Sequence, residues 1–255
     1  MTNILALQDV SMTYYTKTSQ TEAIKNLSLE VKKGEFMSIL GPSGCGKTTL
    51  LSLISGTLKP TEGKITLNGK EIDGTTTEIG YMLQRDHLFE WRTIYKNITL
   101  GLEIQHKLTG ENLDHCERLI EKYGLKDFVK HYPNQLSGGM RQRVALIRTL
   151  ALNPDVLLLD EPFSALDFQT RLQVCDDVHA IIKSEGKTAV LVTHDISEAI
   201  SMSDRIAILT SRPATLKRIH ETNLQNVKTP LLRREAPTFA KQFETLWKEV
   251  KNDEK

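Results

Sequence analysis

The chain has 255 residues, of which 39% are hydrophobic and 25% are charged, the composition of an ordinary soluble globular protein. Its 33 basic and 32 acidic residues nearly cancel, so no overall basic field argues for nucleic acid as a partner. No apolar stretch approaches the ~18 residues that a bilayer-spanning helix needs, so we expect any role at a membrane to come through a partner.

The N-terminal part of the chain has the pattern of antiparallel strands. Residues 3–31 alternate between apolar and polar side chains, as half-buried strands do. Residues 64–67 predict a further strand, which runs into Asn68-Gly69, a dipeptide typical of tight hairpin turns. These segments predict a small antiparallel sheet.

Two adjacent tyrosines, Tyr14 and Tyr15, lie on the first hairpin of this predicted sheet. An aromatic ring at this place could stack on a purine base. A tyrosine in a strand is more often simply packed against its neighbours. On spacing alone, packing is the favoured interpretation.

Residues 41–48 read G-P-S-G-C-G-K-T and complete the phosphate-loop pattern G-x-x-x-x-G-K-[ST]. The apolar run 36–40 predicts a buried strand before the loop, and residues 48–54 predict a helix after it. In that context the loop N–H groups and the helix dipole form an anion site, Lys47 reaches the outer phosphates, and Thr48 offers its hydroxyl to Mg²⁺. The alternative is a glycine-rich turn with a chance lysine, and eight constrained residues argue against it. We therefore predict that the chain binds a nucleoside triphosphate.

From about residue 89 to residue 150 the periodicity becomes helical. One apolar face spans residues 113–123, and Gly124 is expected to stop that helix. Residues 137–143 read S-G-G-M-R-Q-R before a further helical run to residue 152. Glycines at a helix start make another anion-accepting N-terminus, but a plain capping turn is equally compatible with this stretch alone.

Two all-apolar runs end in polar residues that could bind a metal ion or transfer a proton. Residues 156–159 predict a strand that is buried on both faces and ends at Asp160 and Glu161. Because α/β folds bind ligands at the carboxyl ends of their strands, we expect Asp160 to hold Mg²⁺ and Glu161 to act as a base toward water. Adjacent acids are usually solvated, but four preceding aliphatic residues weaken that alternative. A second such run, 188–193, ends at His194, for which a catalytic and an ordinary role are evenly balanced.

The C-terminal part carries two further predicted elements. Residues 205–209 predict one more strand. From Pro230 onward the tail predicts a final amphipathic helix, whose apolar residues recur at helical spacing between 239 and 250. Core packing or contact with another subunit is favoured over a ligand-binding role for this face.

Taken together, these motifs resemble the ATP-binding subunit of ABC transporters over nearly the whole chain. The set is complete and in the family's order: G-P-S-G-C-G-K-T-T at 41–49, Gln84, L-S-G-G-M at 136–140, L-L-L-D-E at 157–161, S-A-L-D at 164–167, and His194. L-S-G-G-x before a helix separates this family from kinases and GTPases. The segments Y-M-L-Q-R-D-H-L-F-E-W-R-T at 81–93 and S-R-P at 211–213 resemble the nitrate, sulfonate and taurine importer branch.

The resemblance implies an α/β fold, with a phosphate-loop NTPase core, a flanking antiparallel β subdomain and an inserted α-helical subdomain. We expect one ABC ATPase domain over residues 1–255. Within it, the expected divisions are an antiparallel region with the start of the core at 1–84, a helical subdomain at 85–152, the rest of the core at 153–215, and a C-terminal extension at 216–255.

The resemblance also implies roles for individual residues. Nucleotide would be bound by Tyr14, with Tyr15 as a near competitor, by Gly41, Pro42, Ser43, Gly44, Cys45, Gly46, Lys47, Thr48 and Thr49, and, from a second copy of the chain, by Ser137, Gly138, Gly139 and Asp167. The implied catalytic residues are Glu161 as general base, His194 at the γ-phosphate, Gln84 at the attacking water, and Lys47. The implied Mg²⁺ ligands are Thr48, Gln84 and Asp160.

Two positions depart from the family pattern. Met140 replaces the commoner Gln of the signature, but the residues expected at the phosphate are Ser137 and the glycines. Cys45 occupies a variable loop position; as a near-neutral thiol it need not react, although a helix N-terminus could lower the pKa of the thiol.

The function that follows is ATP hydrolysis, with ATP and Mg²⁺ as cofactors, in a homodimer that powers uptake of a small nitrate-, sulfonate- or taurine-like solute. The expected partners are a separate membrane permease and, indirectly, an extracytoplasmic solute-binding protein. The three cysteines are odd in number and widely spaced, which suits a reducing cytosol. The resemblance implies a peripheral position on the cytoplasmic face of a bacterial-type cell membrane. The alternative is a non-transport ABC ATPase that acts in assembly or regulation.

Overall fold

The computed structural model describes residues 2–252. In chain order the strands are β1 (Asn3–Tyr15), β2 (Gln20–Lys32), β3 (Phe36–Leu40), β4 (Glu62–Leu67), β5 (Lys70–Glu71), β6 (Ile79–Met82), β7 (Val156–Asp160), β8 (Thr188–Thr193), β9 (Arg205–Leu209) and β10 (Leu216–Glu221). The helices are α1 (Lys47–Ile54), α2 (Ile94–Ile98), α3 (Leu100–Ile104), α4 (Gly110–Lys122), α5 (Gly138–Leu150), α6 (Phe168–Ser184), α7 (Ile196–Met202), α8 (Pro230–Arg234) and α9 (Phe239–Asn252).

The larger of the two sheets is six-stranded and has the order β10-β9-β3-β8-β7-β6. Its pairings are parallel except that β10 runs antiparallel to β9. Every residue of β3, β7 and β8 is buried, which explains why these strands read as continuous apolar runs rather than as alternating ones. The carboxyl ends of β3, β6, β7 and β8 therefore lie along one edge of the sheet.

The smaller sheet is antiparallel, with the order β2-β1-β4-β5, and the tight turn at Asn68-Gly69 joins β4 to β5 as predicted. One apolar cluster joins this sheet to α1 and to the parallel strands, through residues such as Leu7, Leu50 and Val190. The first helix is thus fixed from both sides, which holds the loop before it in place.

A helical region, α2 to α5, lies between β6 and β7 in the chain. Its buried residues join one cluster with the core helix α6, including Ile98, Cys116, Ile147 and Val178. α4 ends at Lys122, and Gly124 follows with φ +72°, a left-handed conformation that costs glycine little. The predicted helix stop at Gly124 is confirmed, as is the α/β fold class.

The C-terminal part contains more strands and helices than the sequence predicted. One final helix was expected from Pro230 onward, but two are present, α8 and α9, and β10 was not predicted at all. Leu246 of α9 is fully buried against β3, β9 and α7, so core packing accounts for this side of the helix.

None of the helices in the described part of the chain is both long and apolar enough to cross a membrane.

Candidate active site

The phosphate loop connects β3 to α1 and holds a buried positive charge. Lys47 is buried, and its Nζ donates hydrogen bonds of 2.8 Å to the carbonyl oxygens of Gly41 and Pro42. The loop therefore wraps around the ammonium group. Two carbonyl groups of the loop therefore hold the ammonium group in position.

The backbone of the same loop fits a bound anion. The N–H groups of Ser43, Gly44 and Gly46 donate to no acceptor within residues 2–252. Gly46 has φ +126°, and a Cβ there would lie 3.0 Å from the carbonyl oxygen of Ala23, so this position requires glycine. Free amides beside a fixed lysine match the phosphate-binding role predicted for residues 41–49.

The two tyrosines are not packed in the core. Tyr14 is 39% exposed and Tyr15 is 72% exposed. The Tyr14 hydroxyl lies 3.2 Å from Thr49 Oγ1, at the first turn of α1. The packing interpretation that spacing favoured is therefore wrong, because the end of the β1–β2 hairpin projects past the apolar cluster. Tyr14, rather than Tyr15, touches the phosphate-loop helix.

Cys45 does not have an activated thiol. Its side chain is buried, and burial raises the pKa of the thiol despite the nearby charge of Lys47. The charge of Lys47 and backbone N–H groups at the start of α1 do lower this pKa, but desolvation outweighs them, which agrees with the expectation that the thiol need not react. A Cβ on Gly41 would lie 3.0 Å from Cys45 Sγ, so the thiol fills space beneath the loop.

The acidic end of β7 contains a buried and a partly exposed carboxylate. Asp160 is buried, accepts a 3.3 Å hydrogen bond from the Tyr81 hydroxyl, and has its pKa raised by burial. Glu161 has φ +43°, so the backbone leaves the extended conformation directly after β7, although the Glu161 N–H still donates to Val192 O of β8 at 2.9 Å. Two neighbouring acids thus have different environments.

These residues fit Mg²⁺ only together with a phosphate. In residues 2–252, no cluster of three or more His, Cys, Asp and Glu side chains could hold a metal by itself. Asp160 is the single carboxylate among the implied Mg²⁺ ligands, and the Thr48 side chain is exposed at the start of α1. Mg²⁺ commonly binds through one or two protein oxygens plus substrate phosphates and water, which is what this donor set offers.

Three predicted catalytic residues, separated by long stretches of chain, meet beyond the carboxyl edge of the sheet. His194 Nδ1 lies 3.0 Å from Glu161 Oε1. Gln84 Nε2 lies 3.5 Å from Glu161 Oε2 and 3.5 Å from Ser164 Oγ. The structure thus brings Gln84, Glu161 and His194 together because β6, β7 and β8 are neighbours in the sheet.

The signature residues lie elsewhere on the chain. Ser137 caps α5 by accepting from the N–H of Met140 at 3.4 Å, and Asp167 caps α6 by accepting from the N–H of Thr170 at 3.0 Å. Hydrogen bonding by Thr170 lowers the pKa of the Asp167 carboxyl. Both caps line a cavity of about 470 Å³ that includes Gly138 and Gly139 and no phosphate-loop residue. The phosphate loop therefore lies outside this cavity.

Two arginines to which the sequence motifs assign no role contact the predicted site segments. Arg212 Nη2 donates to Gly44 O in the phosphate loop at 2.7 Å, and its only signal was the triplet S-R-P. Arg141 on α5 makes a two-pronged ion pair with Asp86, with hydrogen bonds of 2.8 and 3.0 Å, which ties the segment after Gln84 to the signature helix. Neither contact partner could be read from the sequence, because each contact joins segments that are far apart in the chain.

The family is decided by a match over more than half of the chain. Residues 24–164 match the family model described as ABC transporter. The chain belongs to the ABC transporter family. It is an ATPase of this family, and ATP is its nucleotide.

Similar proteins match most of this ABC cassette. An uncharacterized ABC transporter ATP-binding protein of Bacillus subtilis, YtlC, is 47% identical over 99% of this chain and 98% of its own length. The taurine import ATP-binding protein TauB of Ruegeria pomeroyi is 42% identical over 85% of this chain and 80% of its own length.

A solved structure shows the same fold. The dimeric, post-hydrolysis ATP-binding cassette MJ0796, bound to ADP and Pi, superposes with a TM-score of 0.71 and is 34% identical, covering 86% of this chain and 99% of that one. The expected core, antiparallel sheet and inserted helices are therefore those of an ABC ATPase cassette.

Proposed function

We propose that this cassette powers the import of a small taurine- or sulfonate-like solute, or a related one such as nitrate, through a separate permease. The similarity to the taurine importer subunit TauB supports the branch. The segments 81–93 and 211–213 carry the branch resemblance, and Arg212 of the second segment contacts the phosphate loop. The cassette itself would not touch the solute.

In the proposed site, the phosphate loop and Lys47 bind the ATP phosphates and Tyr14 contacts the adenine. Mg²⁺ would be held by Thr48, Gln84 and Asp160 and would neutralise charge on the phosphates. Glu161 is the proposed base toward the attacking water. The observation that carries this assignment is the 3.0 Å contact between Glu161 and His194, with Gln84 beside them.

The pairing of Glu161 with His194 gives each side chain a defined task. A general base must be held within hydrogen-bond reach of the water whose proton it accepts. The His194 contact fixes one carboxylate oxygen of Glu161 and leaves Oε2 toward Gln84. His194 would then contact the γ-phosphate with its second ring nitrogen, while Gln84 orients the water.

We further propose that each ATP is shared between two copies of the chain. The Ser137 cap and the glycines of the signature line a surface cavity that contains no phosphate-loop residue, so they would serve the ATP of a partner. The helix N-terminus at Gly138 and Gly139 offers backbone N–H groups and a positive dipole end to the γ-phosphate. Asp167 lines the same cavity and would cross the same interface. The similar cassette MJ0796 is itself dimeric.

The proposed permease contact lies at residues 84–100. Trp91 is 75% exposed, and its ring centroid lies 4.8 Å from that of partly buried Phe89, with the two rings tilted by 36°. Exposed aromatic residues next to arginine are typical of interface centres. Because Asp86 is bound to Arg141, a partner on this segment would act on the signature helix and on Gln84 together. An extracytoplasmic solute-binding protein would act through the permease, and the cassette would lie on the cytoplasmic face.

The proposal is tested by isolating the cassette with its membrane partner. The purified complex is assayed for ATP hydrolysis with taurine, an alkanesulfonate or nitrate, each presented with its solute-binding protein. We expect one of them to stimulate hydrolysis. Failure to co-purify with any membrane protein would contradict the importer role and leave assembly or regulation as the function.

A further inference from the structure

Arg171 contacts two loops that belong to different parts of the proposed site. It lies in the first turn of α6, directly after the loop 164–167. Its Nη2 donates a 2.9 Å hydrogen bond to the carbonyl oxygen of Leu166. Its Nη1 lies 3.6 Å from Asp195 Oδ2 and 3.9 Å from Glu198 Oε1, beyond the end of β8. One guanidinium therefore spans from the loop 164–167 to the turn that carries His194.

The acceptors on the far side are part of a rigid turn. Glu198 is buried, which raises the pKa of its carboxyl, and its Oε2 accepts a 2.8 Å hydrogen bond from Thr193 Oγ1. Thr193 Oγ1 in turn accepts from the N–H of Asp195 at 3.0 Å. The residues on either side of His194 are thus bonded to each other and to Glu198. A displacement of Glu198 would move this turn as a unit.

The same turn carries the contact to the proposed base. His194 Nδ1 lies 3.0 Å from Glu161 Oε1, and Ser164 at the start of the loop donates to Glu161 O at 3.0 Å. A small cavity of about 60 Å³ lies among these groups and is lined by Glu161, Ser164, Arg171, Thr193, His194, Asp195 and Glu198. The loop, the turn and the base therefore enclose one space.

The Arg171 guanidinium does not make all the hydrogen bonds that it could make in this arrangement. Its Nε is buried and has no hydrogen-bond partner in residues 2–252. Its two carboxylate contacts, at 3.6 and 3.9 Å, are longer than the ~2.7–2.9 Å of a charge-assisted hydrogen bond. A small shift of the loop toward the turn would shorten both contacts. The planar guanidinium can make several directed bonds at once, which an ammonium cannot.

We propose that Arg171 is a positioning residue that transmits the position of the loop 164–167 to His194 and Glu161. The proposal rests on the composite site argued above, in which a second copy contacts this loop. Docking of that copy moves Leu166 and with it the guanidinium. Closer contacts with Asp195 and Glu198 then fix the turn at His194 in the geometry for hydrolysis. A site without its partner would hydrolyse slowly because this step is missing.

The test compares two arginines in similar partly buried ion pairs. Arg171 and its partner Glu198 have side chains 26% and 4% exposed, and Arg205 and its partner Glu35 have side chains 15% and 6% exposed. Arg205 lies at the first residue of β9, at the end of the sheet away from the site. Arg205→Met therefore reproduces the loss of such a pair without touching the loop or the turn.

We expect Arg171→Met to lower kcat for ATP by about 10-fold or more, since small displacements of catalytic groups cost up to ~100-fold. KM for ATP should stay within about 2-fold, because the phosphate loop is untouched. Arg205→Met should change kcat by less than about 2-fold. Arg171→Lys should recover little of the loss, because one ammonium does not span from Leu166 to Asp195. Full recovery by lysine, or equal losses of kcat in both methionine variants, would overturn the proposal.

A double variant separates the proposed path from general damage. If Arg171 acts through Glu198, then Glu198→Gln in the Arg171→Met background should lower kcat by less than about 2-fold more. Multiplied losses would overturn the path. The composite catalytic site is tested separately by Glu161→Gln. If Glu161→Gln abolishes hydrolysis and Arg171→Met does not slow it, only the positioning role fails; if Glu161→Gln hydrolyses normally, the proposed site itself is wrong.

Discussion

At the scale of single residues, the site is defined by unusual local environments. Glu161 adopts φ +43°, which a non-glycine residue rarely does, and it does so directly after a fully buried strand. That conformation turns the carboxylate toward His194 and Gln84, while Asp160 stays buried against Tyr81. Two adjacent acids of the same chemistry therefore have different proposed tasks, set by backbone direction and burial.

The role of Glu161 is tested by Glu161→Gln. We expect ATP binding to remain and turnover to fall by roughly 100-fold or more, because general-base contributions are about 10² to 10⁴. A nucleotide-stabilised dimer should become easier to detect by size-exclusion chromatography. Glu185→Gln is a matched control, since Glu185 is also a partly buried acid in an ion pair, with Lys122 at 2.6 Å. Near-normal hydrolysis by Glu161→Gln would remove this residue from its role.

At the scale of elements, α6 packs against the sheet through a histidine that cannot easily accept a proton. His179 is buried and stacks on Phe36 of β3, with ring centroids 5.7 Å apart. Burial, together with the charges of Arg233 and Lys183, lowers its pKa to about 4. In the unfolded chain the imidazole has a pKa of ~6.5. Between these values the unfolded chain binds a proton that the folded chain does not.

This difference predicts a pH-dependent contribution to stability. The stability due to neutral His179 is fully present above about pH 6.5 and is lost as the pH falls toward 4, because the unfolded state takes up the proton first. Between pH 7.5 and pH 5 the loss should be about 2 kcal/mol. His179→Phe should lose less of its free energy of unfolding over the same interval, measured by urea denaturation. An equal pH dependence in both proteins would show that His179 does not titrate as stated.

The segment 84–100 is the second element whose role can be tested. Arg85 is exposed, whereas Arg92 contacts the carboxylate of Glu103, so charge reversal is cleaner at Arg85. Arg85→Glu should uncouple transport in the reconstituted complex while sparing ATP hydrolysis by the isolated cassette. Arg92→Glu should do the same with some loss of stability. Lys17→Glu, an exposed charge in another loop, serves as the control.

Two outcomes would count against this surface. Unchanged transport in both arginine variants would place the permease contact elsewhere. Equal uncoupling by Lys17→Glu would show that the effect is one of net charge. Trp91→Ala tests the aromatic part of the same surface, since its exposed ring can be removed without opening a cavity in the core.

At the scale of the whole molecule, the phosphate loop lies outside the cavity that the signature residues line. The phosphate loop lies at the carboxyl end of β3, and the signature lies at the start of α5, with its own cavity. A functional ATP site therefore requires a second copy if both halves act on one nucleotide. This requirement can be tested with two purified variants of the chain.

Mixing two inactive variants tests the shared site. Lys47→Ala removes the charge on the phosphates, and Ser137→Arg places a bulky side chain where the signature helix must approach. Each variant should disable both sites of a homodimer. In a mixed dimer the two changes fall on one site, so the other site is intact. The mixture should trap nucleotide at about one site per dimer.

Trapping is the appropriate measurement because steady turnover can require both sites. The formation of mixed dimers is verified with two differently tagged variants. If mixed dimers form and trap no more nucleotide than either variant alone, the shared site is disproved.

The sequence by itself determined the features that depend on neighbouring residues. The loop 41–48, the stop at Gly124, the hairpin turn at Asn68-Gly69 and the buried strands β3, β7 and β8 follow from local patterns. A turn type or a buried run is fixed by residues a few positions apart. For this reason the α/β class and the family could be predicted from the order of the residues alone.

Only the tertiary structure decided which distant residues meet. The sheet order puts Gln84, Glu161 and His194 side by side, and it brings Arg212 to Gly44 and Arg171 to Asp195. The exposure of Tyr14, the buried thiol of Cys45 and the strand β10 were likewise not determined by spacing. These features depend on contacts between segments far apart in the chain, whose strength is set by burial and geometry in the folded state. The sequence around Arg171 predicts an ordinary solvated charge on a helix, and only the fold places the buried carboxylate of Glu198 near it.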